Sequence, residues 1–230
     1  MITINKNPPL LQLLQARRTI VNTDEPYDAL DTDTKDAIRR SLCEEQGYLC
    51  AYCMRRIEPT KDPKTNQDRM KIEHWLDRST HEGDTQLDYS ILLGVCCGKT
   101  KYKSEEYSHC DDSRGSTPLK FNPANLEHHS RLKITYSLKN GKILSEDEEF
   151  GEQLNNVLNL NNEVLLNNRL SVLNGVQDSL ERLAPNTTIN QTKLQNFLNK
   201  YQSLNTQGKK HPYCGIVIYY LQRKLKATNS

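Results

Sequence analysis

Apolar residues recur at helical spacing in several stretches of this chain and alternate at strand spacing in one short stretch. Ala37, Ile38, Leu42 and Cys43 form one apolar helical face. Asp31 to Thr34 offer N-caps for it, and Gly47 stands where a left-handed residue would close it. Leu10 to Ala16 reads as a shorter amphipathic helix, after a short strand or arm that ends at Pro8-Pro9. From Met70 to Trp75 the period drops to two. A strand there carries Met70, Ile72 and His74 on one face and Lys71, Glu73 and Trp75 on the other. Leu87 to Val95 is an apolar run. Leu132–Leu138 and Lys142–Leu144 flank Asn140-Gly141, a strong hairpin signal. From Asp147 onward the helical period returns, through Leu154 to Leu180, then Leu194 to Tyr201, then Tyr213 to Leu225, with Pro185 as a breaker. Residues 54–57 read as the return strand of a hairpin, and a short helix is expected near Asp112.

Length and composition narrow this little. The chain has 230 residues, 35% apolar and 26% charged, enough for one or two soluble domains. A net charge of +2 means that any nucleic-acid footprint must be local. Lys99, Lys101, Lys103, Arg114 and Lys120 form one cationic group, and Lys209, Lys210, Arg223, Lys224 and Lys226 another. The plainer reading of either is a solvated face. No stretch has the apolar length to span a bilayer. The first residues lack a secretory pattern, so a cytoplasmic location with reduced cysteines is expected.

In that setting Cys50-Ala51-Tyr52-Cys53 reads as a metal knuckle rather than a disulfide. Cys110 and either Cys96 or Cys97 would complete a four-thiolate zinc site. Neighbouring strand residues point oppositely, so only one of that pair can ligate, and Cys96 is favoured because it follows the apolar run directly. Cys43 and Cys214 sit on apolar helical faces and read as core. Within the same region lie Glu73-His74 and the run Asp111-Asp112-Ser113-Arg114. Carboxylates beside an imidazole suit a hard divalent ion and a general base. Glu73 and His74 are strand neighbours, so local twist must swing Glu73 toward the ion. His81 and His109 are the next candidates for a phosphate or metal contact. His128 and His129 read as surface residues.

Four motifs, Cys50 to Cys53, Ile72-Glu73-His74-Trp75, Leu87 to Cys96 and His109 to Gly115, together resemble the HNH endonucleases. They look most like the branch that supplies the PtuB-like nuclease subunit of Septu and retron anti-phage defence systems. The resemblance implies an α+β fold: a zinc-stapled ββα-metal core with mainly helical flanks. It implies His74 as general base and Glu73 and Asp112 as ligands of a catalytic Mg²⁺ or Mn²⁺. Cys50, Cys53, Cys96 and Cys110 would hold structural Zn²⁺. Ser90 falls where the family has an asparagine that orients the base-bearing loop, and its shorter side chain can replace only part of that bonding. Arg114 would hold a neighbouring phosphate, or stand as a surface residue.

The expected organisation is an N-terminal helical arm (1–46), the nuclease core (47–125) and a hairpin with a helical region (126–230) that docks a partner. The implied substrate is DNA, with structured RNA such as tRNA as a second candidate. The implied partners are an ABC/SMC-like ATPase and, in retrons, a reverse transcriptase with its RNA–DNA product; no membrane is involved. Two rivals share the cysteines: a non-catalytic zinc module that binds nucleic acid or a partner, and a redox dithiol protein that should carry no zinc.

Overall fold

The computed structural model describes residues 1–20, 23–78, 83–98, 107–184 and 190–228. His81, Lys99, Lys101, Lys103 and Pro185 lie outside them. In chain order the elements are α1 (Leu11–Thr19), α2 (Thr32–Glu45), β1 (Lys71–His74), β2 (Leu92–Val95), α3 (Asp111–Arg114), α4 (Leu126–His129), β3 (Ile134–Tyr136), β4 (Ile143–Ser145), α5 (Glu148–Glu152), α6 (Glu163–Leu183), α7 (Gln191–Gln202) and α8 (Cys214–Thr228). The strands make two antiparallel pairs, β1 with β2 and β3 with β4. Among the described residues no helix is long and apolar enough to cross a membrane.

Helix α2 starts where its caps predict. The Asp31 carboxylate accepts the Thr34 amide at 2.6 Å and the Thr34 hydroxyl at 3.0 Å. It closes by a Schellman motif: Tyr48 N–H reaches Cys43 C=O at 2.7 Å, Gly47 N–H reaches Glu44 C=O at 3.1 Å, and Gly47 has φ +61°. That reversal aims the chain into the Cys50–Cys53 knuckle. The expected return strand is only one bridge, Leu49 to Arg56, because Met54 takes φ +62° and its N–H closes on Cys50 C=O at 3.0 Å.

Gln46 ties these parts together. Its buried amide donates to Leu49 C=O and to Gly94 C=O, both at 2.7 Å, and its carbonyl accepts the Gly94 N–H at 2.7 Å. One side chain thus joins the end of α2, the knuckle and β2. Gln46→Ala would strand the Gly94 N–H and the Leu49 C=O, while the Gly94 C=O keeps the Ala51 N–H at 3.0 Å. We expect it to lower stability by about 3 kcal/mol in urea unfolding, and Gln46→Glu to recover little, since a carboxylate cannot donate.

Strand β1 pairs with β2 in the register Lys71–Val95, Ile72–Gly94, Glu73–Leu93 and His74–Leu92. The apolar run ahead of β2 is not one strand: it folds into 3₁₀ turns at Gly83–Leu87 and Tyr89–Ile91. Residues 1–9 form an extended arm without regular structure. The arm is pinned by Lys6, whose ammonium reaches the fully buried Glu45 carboxylate at 2.6 Å and Leu92 C=O at 2.8 Å.

The C-terminal half packs onto the knuckle. The helical pattern after Asp147 passes through α5 and a π-turn (Gln153–Val157), then breaks at 158–162, where Asn159 has φ +46°. The break turns backbone toward the cysteines: Leu158 C=O accepts the Cys110 N–H at 2.9 Å, and the Asn159 amide donates to Ser108 C=O at 2.8 Å. On the far side the Tyr213 N–H, just before α8, reaches Met54 C=O at 3.0 Å. Buried Arg169 on α6 donates to Gly141 C=O at 2.6 Å and to Leu160 C=O, fixing the β3–β4 hairpin against the break. Cys43 and Cys214 are fully buried.

Candidate metal centre and adjoining cleft

The sulfurs of Cys50, Cys53, Cys96 and Cys110 all lie within 4.8 Å of one another, and all four residues are buried. The Cys50–Cys110 distance is 3.8 Å and the Cys53–Cys96 distance 3.7 Å. Four thiolates around one zinc at about 2.3 Å each would stand about 3.8 Å apart along the tetrahedron's edges. The donor set therefore fits zinc, and the separations exclude disulfides. Three separate pieces of chain supply it: the knuckle after α2, the end of β2, and the turn into α3. Burial penalises a thiolate at Cys50, but hydrogen bonds from Cys110, Cys53 and Cys96 outweigh it and pull Cys50 well below the ordinary thiol range. Cys97 stays outside the cluster and donates its S–H to Asp68 C=O at 2.9 Å.

His109 is not a cleft residue. It is fully buried against the cluster, with Nδ1 3.2 Å from the Cys110 sulfur and 3.8 Å from that of Cys96. His128 and His129 are half-buried rather than free surface residues. His128 Nδ1 accepts the Asn122 N–H at 2.9 Å, and His129 Nε2 donates to Pro123 C=O at 2.9 Å.

Next to the thiols lies a polar cleft of about 260 Å³ lined by Tyr27, Glu73, His74 and Asp111 among others. Its chemistry is set from β1 and α3. Glu73 is buried on the face of β1 shared with Lys71, toward α3. The Tyr52 hydroxyl, from inside the knuckle, donates to its carboxyl group at 3.2 Å. Burial and the Asp111 carboxylate push Glu73 up to about 8, against the pull of Arg114. Burial opposes charge on Asp111 too, but Glu73, Lys71 and Arg114 together hold it below the usual carboxylate value. The two acids thus behave as a pair that shares one proton. Such a pair is a fitting seat for a cation that takes the proton's place.

His74 is on the opposite face of β1. Its Nε2 lies 3.0 Å from Gln86 C=O and its ring packs edge-on against Tyr27 at 4.6 Å. A carbonyl only accepts, so Nε2 carries the proton and Nδ1 keeps its lone pair. Burial lowers His74 to about 4, so the ring is neutral near pH 7.

Three expected placements differ. Asp112 does not join Glu73: it pairs with Lys71 and leaves one buried oxygen without a partner among the described residues, while Asp111 faces the cleft. Adjacent helical residues point about 100° apart, so only one acid can face β1. Ser90 is exposed, with its N–H on the Asp88 side chain at 2.9 Å, and the group that orients His74 is the Gln86 carbonyl instead. Arg114 is neither a surface residue nor free for phosphate. It is 3% exposed and donates to Thr117 C=O at 2.9 Å, Trp75 C=O at 2.6 Å, the Tyr52 oxygen at 3.2 Å and the Glu73 carboxylate. It is a strut between α3 and β1. Arg114→Met should lower stability by about 3 kcal/mol in denaturant, because several buried acceptors lose their donor. Arg114→Lys should recover little of this, since an ammonium lacks the planar fork.

Sequence reasoning missed Gln86, Tyr27 and the contact of Tyr52 with Glu73. The first acts through backbone, which no residue type signals; the other two meet the site only through tertiary packing.

The centre as a whole is a mixed helix-and-strand scaffold with four clustered thiols beside an acid–histidine cleft. No family model matches the chain. A 66-residue stretch is 32% identical to a protein of Escherichia coli described, provisionally, as the HNH endonuclease of retron Ec83. The match covers 27% of this chain and 24% of that protein's length.

Proposed function

We propose that the chain is a metal-dependent endonuclease of the HNH type that hydrolyses phosphodiester bonds. The observation that carries this is one cleft lined by the His74 imidazole, whose Nδ1 has no hydrogen-bond partner among the described residues, and by the Glu73 and Asp111 carboxyl groups. Similarity to the retron protein supports the same reading. His74 Nδ1 takes a proton from water as the water oxygen attacks phosphorus. The P–O bond to the leaving oxygen breaks, and that oxygen leaves with a proton from solvent. Gln86 C=O holds the imidazole in the reactive tautomer. Glu73 and Asp111 would hold Mg²⁺ or Mn²⁺, which when bound offsets charge on the phosphate and leaving group. The zinc thiolates are structural in this reading, because no ligand position is left open.

The motif resemblance to the Septu and retron branch supports the further proposal that the chain serves anti-phage defence. Residues 126–230 would then include the docking surface for a regulatory ATPase. A second reading, a non-catalytic zinc module, is favoured by one observation: Arg114 and Lys71 already bind the acids of the cleft. Incubating wild type and His74→Ala with plasmid DNA and structured RNA, with added Mg²⁺ or Mn²⁺, separates the two. Equal cutting by both proteins would remove His74 as the base.

A further inference from the structure

A second depression, of about 530 Å³, lies between α2 and residues 58–70. Its described lining includes Lys35, Arg39, Arg40, Lys61 and Arg69 against three acids, Asp36, Glu58 and Asp68. Two of those acids are already neutralised, Asp36 by Arg39 at 2.7 Å and Glu58 by Lys209 at 2.8 Å. Arg69 is held in place by Asp62 at 2.7 Å, while Arg40 and Lys61 are exposed. The groove is cationic although the chain as a whole is nearly neutral.

The groove neighbours the cleft along the chain. Met70, the residue before β1, lines the groove, Ile72 and His74 of β1 line the cleft, and alternation along the strand puts the three on one side. Lys35 lines the groove and donates to the carbonyl of Asp28, which lines the cleft, at 3.0 Å. Four strand residues span about 13 Å, which matches about four base-pair steps of a duplex.

The geometry points to this groove as the track for a nucleic-acid backbone, read by charge and leading the strand to His74. It rests on the nuclease reading of the cleft and names a surface that reading does not require. Contacts of this kind recognise phosphate rather than base sequence, so DNA and RNA should both bind.

The test measures binding, not cutting. A short labelled DNA duplex and a short RNA hairpin are titrated with full-length protein at several salt concentrations, without added divalent ion. Arg40→Glu/Lys61→Glu should weaken binding of both probes by about tenfold or more, and flatten the salt slope by about two. Arg40→Gln/Lys61→Gln removes the same two phosphate contacts and should flatten the slope by nearly as much, with a smaller loss of affinity, and zinc content should match wild type in both. Arg223→Glu/Lys224→Glu on α8 removes the same charge outside the groove and should stay within about twofold of wild type.

Groove variants that bind like wild type would overturn the proposal. So would an equal loss in the α8 variant, or wild type that binds neither probe. If wild type binds through the groove yet never cuts, the groove stands and the nuclease reading fails. If cutting and binding both survive the groove substitutions, the cleft stands and the groove falls.

Discussion

Cys50→Ser is expected to yield protein that no longer holds zinc and melts far below wild type. Each of the four cysteines supplies one corner of the thiolate set, and together they join three distant pieces of chain. Metal held this way contributes about 10–16 kcal/mol of apparent binding energy in small zinc domains, against a total stability of about 5–15 kcal/mol for a typical fold. The loss should therefore exceed that of any single core truncation. Metal analysis of purified protein should find one zinc per chain, and a strong chelator should lower the melting temperature of wild type. Cys97→Ser is the control, because that sulfur lies outside the cluster on Asp68 C=O. It should keep its zinc and melt near wild type. Zinc-free wild type with a full melting transition would dismiss the staple, and a redox dithiol would then be the better reading.

The same loss should reach the cleft. Tyr52 lies between two of the cysteines and bonds Glu73, while Asp111 directly follows Cys110. Zinc would thus set both carboxyl groups through one-residue levers. Stripped protein that regains structure without regaining metal should have a disordered cleft.

His74→Ala is expected to cut nucleic acid about 10²–10⁴ times more slowly than wild type, with the fold intact. That factor is the usual worth of a positioned base, and among the described residues the ring makes one hydrogen bond whose loss could disturb packing. A sharper comparison sets Asp111→Asn against Asp112→Asn. Asp111 shares a proton with Glu73 in the cleft, whereas Asp112 holds Lys71 beside it. Activity and affinity for Mn²⁺ should fall much further for Asp111→Asn. An equal or larger loss at Asp112 would mean that the acid facing Glu73 in the working site is the other one.

Much of the local structure follows from local chemistry. The start of α2 at Asp31, its end at Gly47 and the alternation of β1 are properties of a few neighbouring residues, so they are legible in the chain. The knuckle at Cys50 and Cys53 is legible for the same reason, since both sulfurs come from one short turn. The break at 158–162 is not legible, because its apolar residues keep a helical rhythm while its backbone leaves the helix.

What the sequence determined by itself was the inventory: four thiols, an imidazole, acidic neighbours and the elements that carry them. Which acid faces Glu73, why Arg114 is sealed inside, and which carbonyl aims His74 were decided by tertiary structure alone. Those outcomes depend on helix phase, burial and backbone groups from distant segments, none of which residue type encodes.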